Sequence, residues 1–438
     1  MMAMACIRQP ALAADKASSE ETQAMRPLAQ DYVTVFESPK PEDVYVVAPG
    51  IARTPAGRLV VTTGAREGRE AGNAWIRSMG WVDSKDRLLR GMIFTSDDHG
   101  ATWTMRARFP FTQARPFVAG KSLYVIGQGT DLMIMRSQNW GDTWSEPALL
   151  TQGQRWHQAP SNVHYENGNV YLVMERQMYE MSEAGRASTL APVLMRARVG
   201  DDLTQVKNWT FASELAFRDA VPESELNYFG VPRFPVDSAR RNTEKRLPGY
   251  HQYPTGWGET QVVRFTDPDH LLYDPEQRTL HLIMRAFSAG TNFSAWAKVV
   301  ENPDGSMTTM LEKAPSGRYM TFVPLPGGHL KFYILYDDVS KLYWLASSQA
   351  VDTTRRSNEK HERNRLQLHF SKNCIDWAFA GLVAIGASPE QSRHYAAMAI
   401  DGENLLIVSR SGNEKSETFH NTNVVTFHTI RNFRRLVY

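Results

Sequence analysis

The sequence predicts an all-β fold, a six-bladed β-propeller, and two observations support this prediction. The first is a repeated motif. SDDHGATWT (Ser96–Thr104) and SQNWGDTWS (Ser137–Ser145) share the pattern Ser-x-Asp/Asn-x-Gly-x-Thr-Trp and begin about one propeller blade apart. The second is a set of six segments that each consist of an apolar strand, a turn and another apolar strand. Their turns fall near Ala56, Ala119, Asn167, Pro275, Gly327 and Asp401.

The shared motif is typical of a tight β-hairpin. Its Asp98 or Asn139 can accept hydrogen bonds from backbone N–H groups across the turn, and its glycine can adopt a positive φ. Its tryptophan, Trp103 or Trp144, is expected to be buried beside the turn, because an indole ring covers a large apolar area. A decayed third copy, SKNCIDW, keeps the serine, the asparagine and the tryptophan. We interpret all three copies as structural elements without a chemical role.

The composition excludes several classes of protein. The net charge of +2 gives no support to a nucleic-acid-binding function, and no apolar run approaches the roughly 20 residues of a membrane span. The two cysteines are Cys6 and Cys374, so removal of the N-terminus would leave no internal disulfide and no cysteine-based zinc site. No other clear metal-ligand spacing is found, and we predict neither a metal nor a cofactor. Nothing in the sequence sets the oligomeric state.

The N-terminus predicts export. In MMAMACIRQPALAADK a short apolar run precedes the small residues ALA, which is typical of a signal peptide with its front missing. We therefore assign residues 1–14 to a truncated signal peptide, 15–43 to an N-terminal extension and 44–438 to the propeller, in a periplasmic or secreted protein. The last segment, NVVTFHTIRNFRRLVY, is expected to close the ring by pairing with the N-terminal strand. The long interval between Asn167 and Pro275 predicts a loop over one face.

Polar residues stand where the inner strands of a propeller begin around its central channel. Several arginines around one channel repel each other unless an anion enters, and arginine binds carboxylates through paired hydrogen bonds. We therefore expect an acidic ligand. Taken singly, each residue has a simpler interpretation as a solvated or packing side chain, and the prediction depends on their coincidence. The candidates are Asp86, Arg115, Arg155, His157, Glu259, Arg285, Arg393 and Tyr395.

The sequence resembles the sialidase superfamily over nearly the whole chain after Val44. The strings SDDHGATW and SQNWGDTW are similar to its Asp boxes, also called BNR repeats, and APGIARTPAGRLV is similar to its first inner strand. GETQVV…LHLIMR resembles the segment that carries a glutamate and then an arginine, and RHYAAMAIDG resembles the segment with the tyrosine nucleophile. RWHQAP and NPDGSMTTMLE are similar to strings in sialidase-like proteins of polysaccharide-degrading bacteria.

The resemblance implies roles for four residues. Tyr395 matches the nucleophile, and Glu259 matches the carboxylate that takes the proton of the tyrosine. Arg285 matches one of the three arginines that hold the substrate carboxylate. Asp86 matches the acid/base aspartate, in a looser alignment. This arrangement suits a retaining glycosidase, since sialidases are exceptions to the rule of two catalytic carboxylates.

The chain departs from the family pattern in its first strand. Where the family has its first arginine, the sequence reads VVAPG, with Val47. Arg115 or Arg393 would then complete the set of arginines, and Arg155 is a further candidate for substrate binding. Because of this departure, we expect an acidic sugar that is either sialic acid or another ulosonic or uronic sugar.

Three classes of function stay open at this point. The first is hydrolysis of a terminal acidic sugar from a glycan or polysaccharide. The second is a polysaccharide lyase, in which His157 or Tyr395 abstracts the proton beside a uronic carboxylate while arginines neutralise that carboxylate. The third is a non-catalytic glycan-binding propeller. A lyase leaves an unsaturated sugar, a hydrolase leaves a reducing sugar, and a binding protein leaves neither.

Overall fold

The protein is an all-β structure of six antiparallel sheets, which confirms the predicted six-bladed propeller. The computed structural model describes residues 25–67, 73–180, 186–221, 256–288, 290–353 and 362–438. Two short helices, α1 (Ala74–Ser78) and α2 (Phe217–Ala220), accompany the sheets. The strands are β1 Val33–Glu37, β2 Val44–Val46, β3 Gly50–Arg53, β4 Leu59–Glu67, β5 Gly91–Ser96, β6 Thr104–Phe109, β7 Thr112–Ala119, β8 Ser122–Gln128, β9 Leu132–Ser137, β10 Ala148–Leu149, β11 Trp156–His157, β12 His164–Glu166, β13 Asn169–Gln177, β14 Leu190–Arg198, β15 Trp209–Phe211, β16 Trp257–Val263, β17 Thr279–Ala286, β18 Phe293–Glu301, β19 Met307–Leu311, β20 Phe322–Pro324, β21 Tyr333–Asp337, β22 Leu342–Ser347, β23 Arg365–Ser371, β24 Ala378–Ile385, β25 Arg393–Asp401, β26 Asn404–Ser411 and β27 Val424–Ile430.

Each sheet forms one blade. Blades one to five are built in chain order from β2–β6, β7–β10, β11–β15, β16–β20 and β21–β24. The second strands are buried along their length, as in β8 (SLYVIGQ), and therefore read as continuous apolar runs rather than as alternating patterns. Successive strands of a blade are antiparallel, so the first strands all begin at one face, here called the upper face. The turns that join third to fourth strands lie at the opposite, lower face.

The sixth blade closes the ring, as predicted. Its order is β25, β26, β27 and then β1, with Val33 paired to Phe427. The predicted boundary at residue 44 is therefore too late, because β1 lies inside the proposed N-terminal extension and completes the sheet of blade six. The predicted signal peptide at 1–14 lies outside the described residues, and so does most of the long loop predicted between blades three and four.

The repeated motifs form the predicted hairpin turns at the lower face. Asp98 Oδ1 accepts a hydrogen bond from the backbone N–H of Thr102 at 2.9 Å, and Gly100 has a φ of 91°. Trp103 donates from Nε1 to the carbonyl of Gly100 at 3.1 Å. The tryptophan is only partly buried, and its ring packs edge-on against Phe427 with 5.3 Å between the ring centroids. The second motif repeats this geometry around Asn139.

One predicted hairpin is wrong. The turn expected near Gly327 is a connection between blades, while the first hairpin of blade five turns at residues 338–341. Phe322–Pro324 pairs instead with β18 of blade four. Gly327 has a φ of 77° in a turn of this connection, and a Cβ at this position would also lie 2.8 Å from the Cβ of Ser347. No helix of the described residues is long and apolar enough to cross a membrane.

Candidate functional site

Three alternate blades carry the same irregularity at the upper end of their first strand. In β7, β16 and β25 the pairing with the second strand skips two residues, and the first skipped residue has a positive φ. These residues are Gln113 (φ 53°), Glu259 (φ 56°) and Tyr395 (φ 51°). Such bulges re-aim a side chain, and a left-handed non-glycine residue persists only where its surroundings hold it. The same type of β-bulge therefore redirects one side chain in each of blades two, four and six.

An arginine lies beside two of these bulges on the second strand. Arg285 pairs across the sheet with Gly258, which precedes Glu259, and Arg410 pairs with His394, which precedes Tyr395. Arg285 Nη1 lies 3.3 Å from Glu259 Oε2 and 3.5 Å from the hydroxyl oxygen of Tyr395. One guanidinium group thus joins residues from blades four and six.

The ring of Tyr395 is enclosed by side chains of several blades. It packs in one cluster with Ala48 of blade one and Ala159 of blade three. The guanidinium carbons of Arg363 and Arg410 lie 5.8 Å and 5.5 Å from the ring centroid. Tyr395 is 7% exposed, so its ring is fixed while its hydroxyl stays within reach of Arg285.

The site carries an excess of positive charge. Burial lowers the pKa of Arg410 to about 10 and also lowers the pKa of Arg363, yet both groups stay protonated at neutral pH. Within the described part of the chain, Nε of Arg363 and both Nε and Nη2 of Arg410 have no hydrogen-bond partner. Buried donors without acceptors are costly, and an anion between these arginines would satisfy them. We call Arg285, Arg363 and Arg410 the arginine trio.

The histidines around the site are neutral. Burial lowers the pKa of His329 to about 3 and that of His420 to about 2, and nearby arginines lower both further. The pKa of His394 is likewise well below its usual value, and its Nδ1 accepts a hydrogen bond from Arg363 at 3.0 Å. The positive charge therefore comes from the arginines and does not vary with histidine protonation in the neutral range.

A second polar group lies in blade three. His157 Nδ1 is 3.2 Å from Glu175 Oε2, and Glu175 is fully buried. The other oxygen of Glu175 accepts from the backbone N–H and the hydroxyl of Thr260, at 2.9 Å and 2.8 Å. Because Thr260 follows Glu259, the His157–Glu175 pair supports the bulge of blade four. His157 and Glu175 face each other across β11 and β13 as Gly258 and Arg285 do across β16 and β17.

Four residues predicted from the sequence lie apart from Tyr395. Arg115 donates to Ser161 Oγ at 2.7 Å and to backbone carbonyls of blade three, which ties blades two and three together. Arg393 donates to the carbonyls of residues 391, 392 and 412. Arg155 pairs with Glu180. Asp86 is exposed and pairs with Arg77 at 2.6 Å, in the segment between β4 and β5 at the upper face.

The sequence reasoning missed four residues of the site. For Arg410 a signal existed, because it ends the apolar strand LLIVSR as Arg285 ends LHLIMR. Gln113 and Lys331 could be found only from the bulges and from the packing beneath them. Arg363 precedes β23 outside any apolar pattern. Among the described residues, no group of three or more His, Cys, Asp or Glu side chains is placed to hold a metal ion.

The comparisons with known proteins show a shared fold. No protein-family model and no curated protein matches the chain. The structure is similar to a Hadza microbial sialidase, with a TM-score of 0.53, 14% identity, and coverage of 91% of this chain and 68% of that chain. It is similar to Trypanosoma rangeli sialidase in complex with the inhibitor DANA, with a TM-score of 0.52, 11% identity, and coverage of 93% and 60%. A Dyadobacter fermentans protein of unknown function gives a TM-score of 0.52, 10% identity, and coverage of 93% and 99%. The resemblance stated above is thus confirmed for the propeller fold.

Proposed function

We propose that the protein is a glycoside hydrolase that removes a terminal acidic sugar, sialic acid or another ulosonic or uronic sugar, from a glycan or polysaccharide. The observation that carries the proposal is the position of Tyr395, beside Glu259 and within the arginine trio. The likeness of the fold to solved sialidases supports it. The N-terminal leader pattern supports action in the periplasm or outside the cell.

The arginine trio would bind the carboxylate of the sugar. The site holds the arginine trio and Lys331, of which Arg285 is partly buried and the other three are buried. An anionic ligand beside Glu259 therefore brings the site closer to neutrality. Guanidinium groups match a carboxylate through paired hydrogen bonds, and the unpartnered nitrogens of Arg363 and Arg410 supply donors. This binding would hold the anomeric carbon near the hydroxyl of Tyr395.

The proposed reaction has two displacement steps. The oxygen of Tyr395 forms a bond to the anomeric carbon while the bond to the leaving oxygen breaks, and Glu259 takes the phenolic proton. A water molecule then attacks the anomeric carbon, and the bond to the oxygen of Tyr395 breaks. Glu259 returns its proton to the tyrosine, the deprotonated donor of the leaving group takes a proton from the water, and the configuration is retained after two displacements. A neutral phenol suits this carbon because it meets less repulsion from the neighbouring carboxylate than an anionic nucleophile would.

The leaving oxygen needs a proton donor, for which two residues are candidates. Asp86 is the donor that the family resemblance implies. To reach the substrate, it would have to break its ion pair with Arg77. His157 is the other, because the buried Glu175 orients its ring through Nδ1 and leaves Nε2 for a ligand. Asp86→Asn and His157→Gln separate them, since loss of the true donor slows substrates with poor leaving groups far more than activated aryl glycosides.

The His157–Glu175 pair also favours one alternative reaction. A histidine held by a buried carboxylate is a suitable base for removing the proton beside a uronic carboxylate, as a polysaccharide lyase requires. In that case the arginine trio would stabilise the charge that develops on the carboxylate. The product would carry a carbon–carbon double bond and absorb in the ultraviolet.

The experiment that tests the proposal is a product assay on sialosides, other ulosonic glycosides and uronic-acid polymers. A reducing sugar with retained configuration, formed by the wild type and not by Tyr395→Phe, is the expected result. An unsaturated product that disappears in His157→Gln would replace the hydrolase with the lyase. Binding of these glycans without any product would identify a binding protein.

A further inference from the structure

Lys331 is a buried cation to which the proposed reaction gives no step. It is 2% exposed and lies in the connection that leads into β21. Its ammonium group donates to the carbonyl of Ala396, the residue after Tyr395. Ala396 is the second of the two residues that the bulge of β25 leaves unpaired with β26. Lys331 therefore replaces the strand partner that the bulge has removed.

Four groups on four different strands surround the ammonium group of Lys331. Glu259 in β16 is the carboxylate that attracts it, and Arg115 in β7 repels it. The ring of Tyr333 in β21 lies 4.9 Å from Nζ, and Tyr395 in β25 adjoins the bonded carbonyl. Burial lowers the pKa of Lys331 to about 7, with Glu259 opposing and Arg115 adding to this effect. The ammonium group thus loses its proton within the neutral range.

Lys331 lies between the arginine trio and a cavity further down the channel. This cavity of about 350 Å³ lies further along the bulged strands, below the bulges, and its lining includes Arg115, Tyr333 and Ala397. Lys331 bonds to the residue just above Ala397 and lies two residues before Tyr333. It therefore forms part of the floor between the arginine trio and this lower cavity.

We propose that Lys331 is a positioning residue of the site, which holds the bulge that presents Tyr395 and adds a titratable positive charge beneath the arginine trio. The proposal rests on the proposed function only in taking the ligand to be an acidic sugar. Below pH 7 the floor is charged and assists binding of the carboxylate. Above pH 7 the charge is lost, and the affinity for an anion should fall.

The first arm of the test measures stability without any ligand. The folded lysine loses its proton near pH 7, while the unfolded lysine keeps its proton to about pH 10.4. Between these values the unfolded chain binds more protons, so stability should rise with pH. The unfolding constant of the wild type should therefore fall relative to that of Lys331→Met by about tenfold per pH unit from pH 7 to 10, and the ratio should be constant below pH 7. Lys341→Met, in an exposed turn, is the control variant, because it also removes one positive charge but not a buried one.

The second arm measures the affinity for sialic acid and for glucuronic acid by calorimetry. In the wild type the affinity for the sugar that binds should fall on the order of tenfold between pH 6 and pH 8.5. In Lys331→Met it should be weak and independent of pH, and in Lys331→Arg it should stay strong at both pH values. An identical pH dependence in wild type and Lys331→Met would overturn the proposal, as would a flat stability ratio or no binding of either sugar. Normal pH-dependent binding without turnover would instead refute the proposed hydrolase and leave the role of Lys331 intact.

Discussion

The hydroxyl oxygen of Tyr395 lies 3.5 Å from Nη1 of Arg285, which reaches it from a different blade. The same nitrogen lies 3.3 Å from Oε2 of Glu259, and Nε of this guanidinium donates to the carbonyl of His329 at 2.9 Å. The hydrogen bond from Nε thus fixes the guanidinium group of Arg285, while Nη1 bridges the carboxylate of Glu259 and the hydroxyl of Tyr395. The proposed nucleophile and the proposed base therefore depend on one guanidinium group for their spacing.

Tyr395→Phe should abolish turnover and leave both the fold and the affinity for the acidic sugar close to those of the wild type. The change removes only a hydroxyl, while the ring keeps its packing against Ala48 and Ala159. We expect turnover to fall by at least about a thousandfold, as for removal of a nucleophile. Steady-state kinetics and a melting curve check both parts, with Tyr336→Phe, at an exposed position near the lower end of β21, as the control. A variant with normal turnover would exclude the tyrosine mechanism.

Arg410→Lys should weaken binding of the acidic sugar by about tenfold or more, because an ammonium group cannot make the paired contact to a carboxylate. Arg393→Lys is the matched control, since Nη1 of Arg393 already donates to the carbonyls of residues 391, 392 and 412. That variant should lower the melting temperature and keep the affinity. Calorimetric titration of both proteins measures the difference. The reverse result would place the carboxylate beside Arg393 instead.

Gln113→Glu should weaken anion binding although it preserves the shape of the side chain. Gln113 occupies in β7 the bulge position that Glu259 and Tyr395 occupy in β16 and β25, and its Oε1 is buried without a partner among the described residues. A second carboxylate there would oppose the substrate carboxylate by on the order of 1 kcal/mol. Comparison of KM with kcat checks this, since the loss should fall on KM. An unchanged KM would show that blade two does not contact the substrate.

Asp337→Asn should lower stability at neutral pH and leave the site unaffected. Burial raises the pKa of Asp337, but hydrogen bonds from Arg434 and Ser340 outweigh burial and lower the pKa to about 2. Because the folded pKa lies below the unfolded value of about 3.9, the stabilisation is complete above pH 4 and is lost as the pH falls through 2. Urea midpoints at pH 7, 4 and 2.5 should show the gap between wild type and variant closing. The neighbouring exposed Asp338→Asn should show no such gap.

The fold was predictable because its signals are local. Each blade repeats an apolar hairpin, and the glycine of each motif marks a turn that the structure confirms at Gly100 and Gly141. The error near Gly327 arose because a turn that connects two blades has the same appearance in the sequence as the turn of a hairpin, and Gly327, with a φ of 77°, lies in such a connecting turn. The partial exposure of Trp103 could not be predicted either, since its burial depends on the contact with Phe427 of blade six, which is distant in the sequence.

The site was predictable only in part. Tyr395, Glu259 and Arg285 were named from their positions at the inner strands, the family resemblance implied their roles, and the structure brings the three side chains together. Arg115 was expected beside them because it also stands at the start of a first strand. It follows the bulge at Gln113 by two residues, where the strand is again paired, and its side chain crosses to blade three. A bulge is a property of strand pairing, so the sequence alone did not show which of two neighbouring positions faces the channel.

The closure of blade six has a consequence for biosynthesis. Its outer strand, β1, leaves the ribosome before every other strand of the propeller, and its partner β27 leaves after all of them. Until β27 emerges, β1 is an unpaired edge with apolar residues such as Val35, which is the kind of segment that associates with other chains. The ring is therefore completed only after β27 has emerged, and protection of β1 by a chaperone should govern the yield of folded protein more than the stability of any single blade.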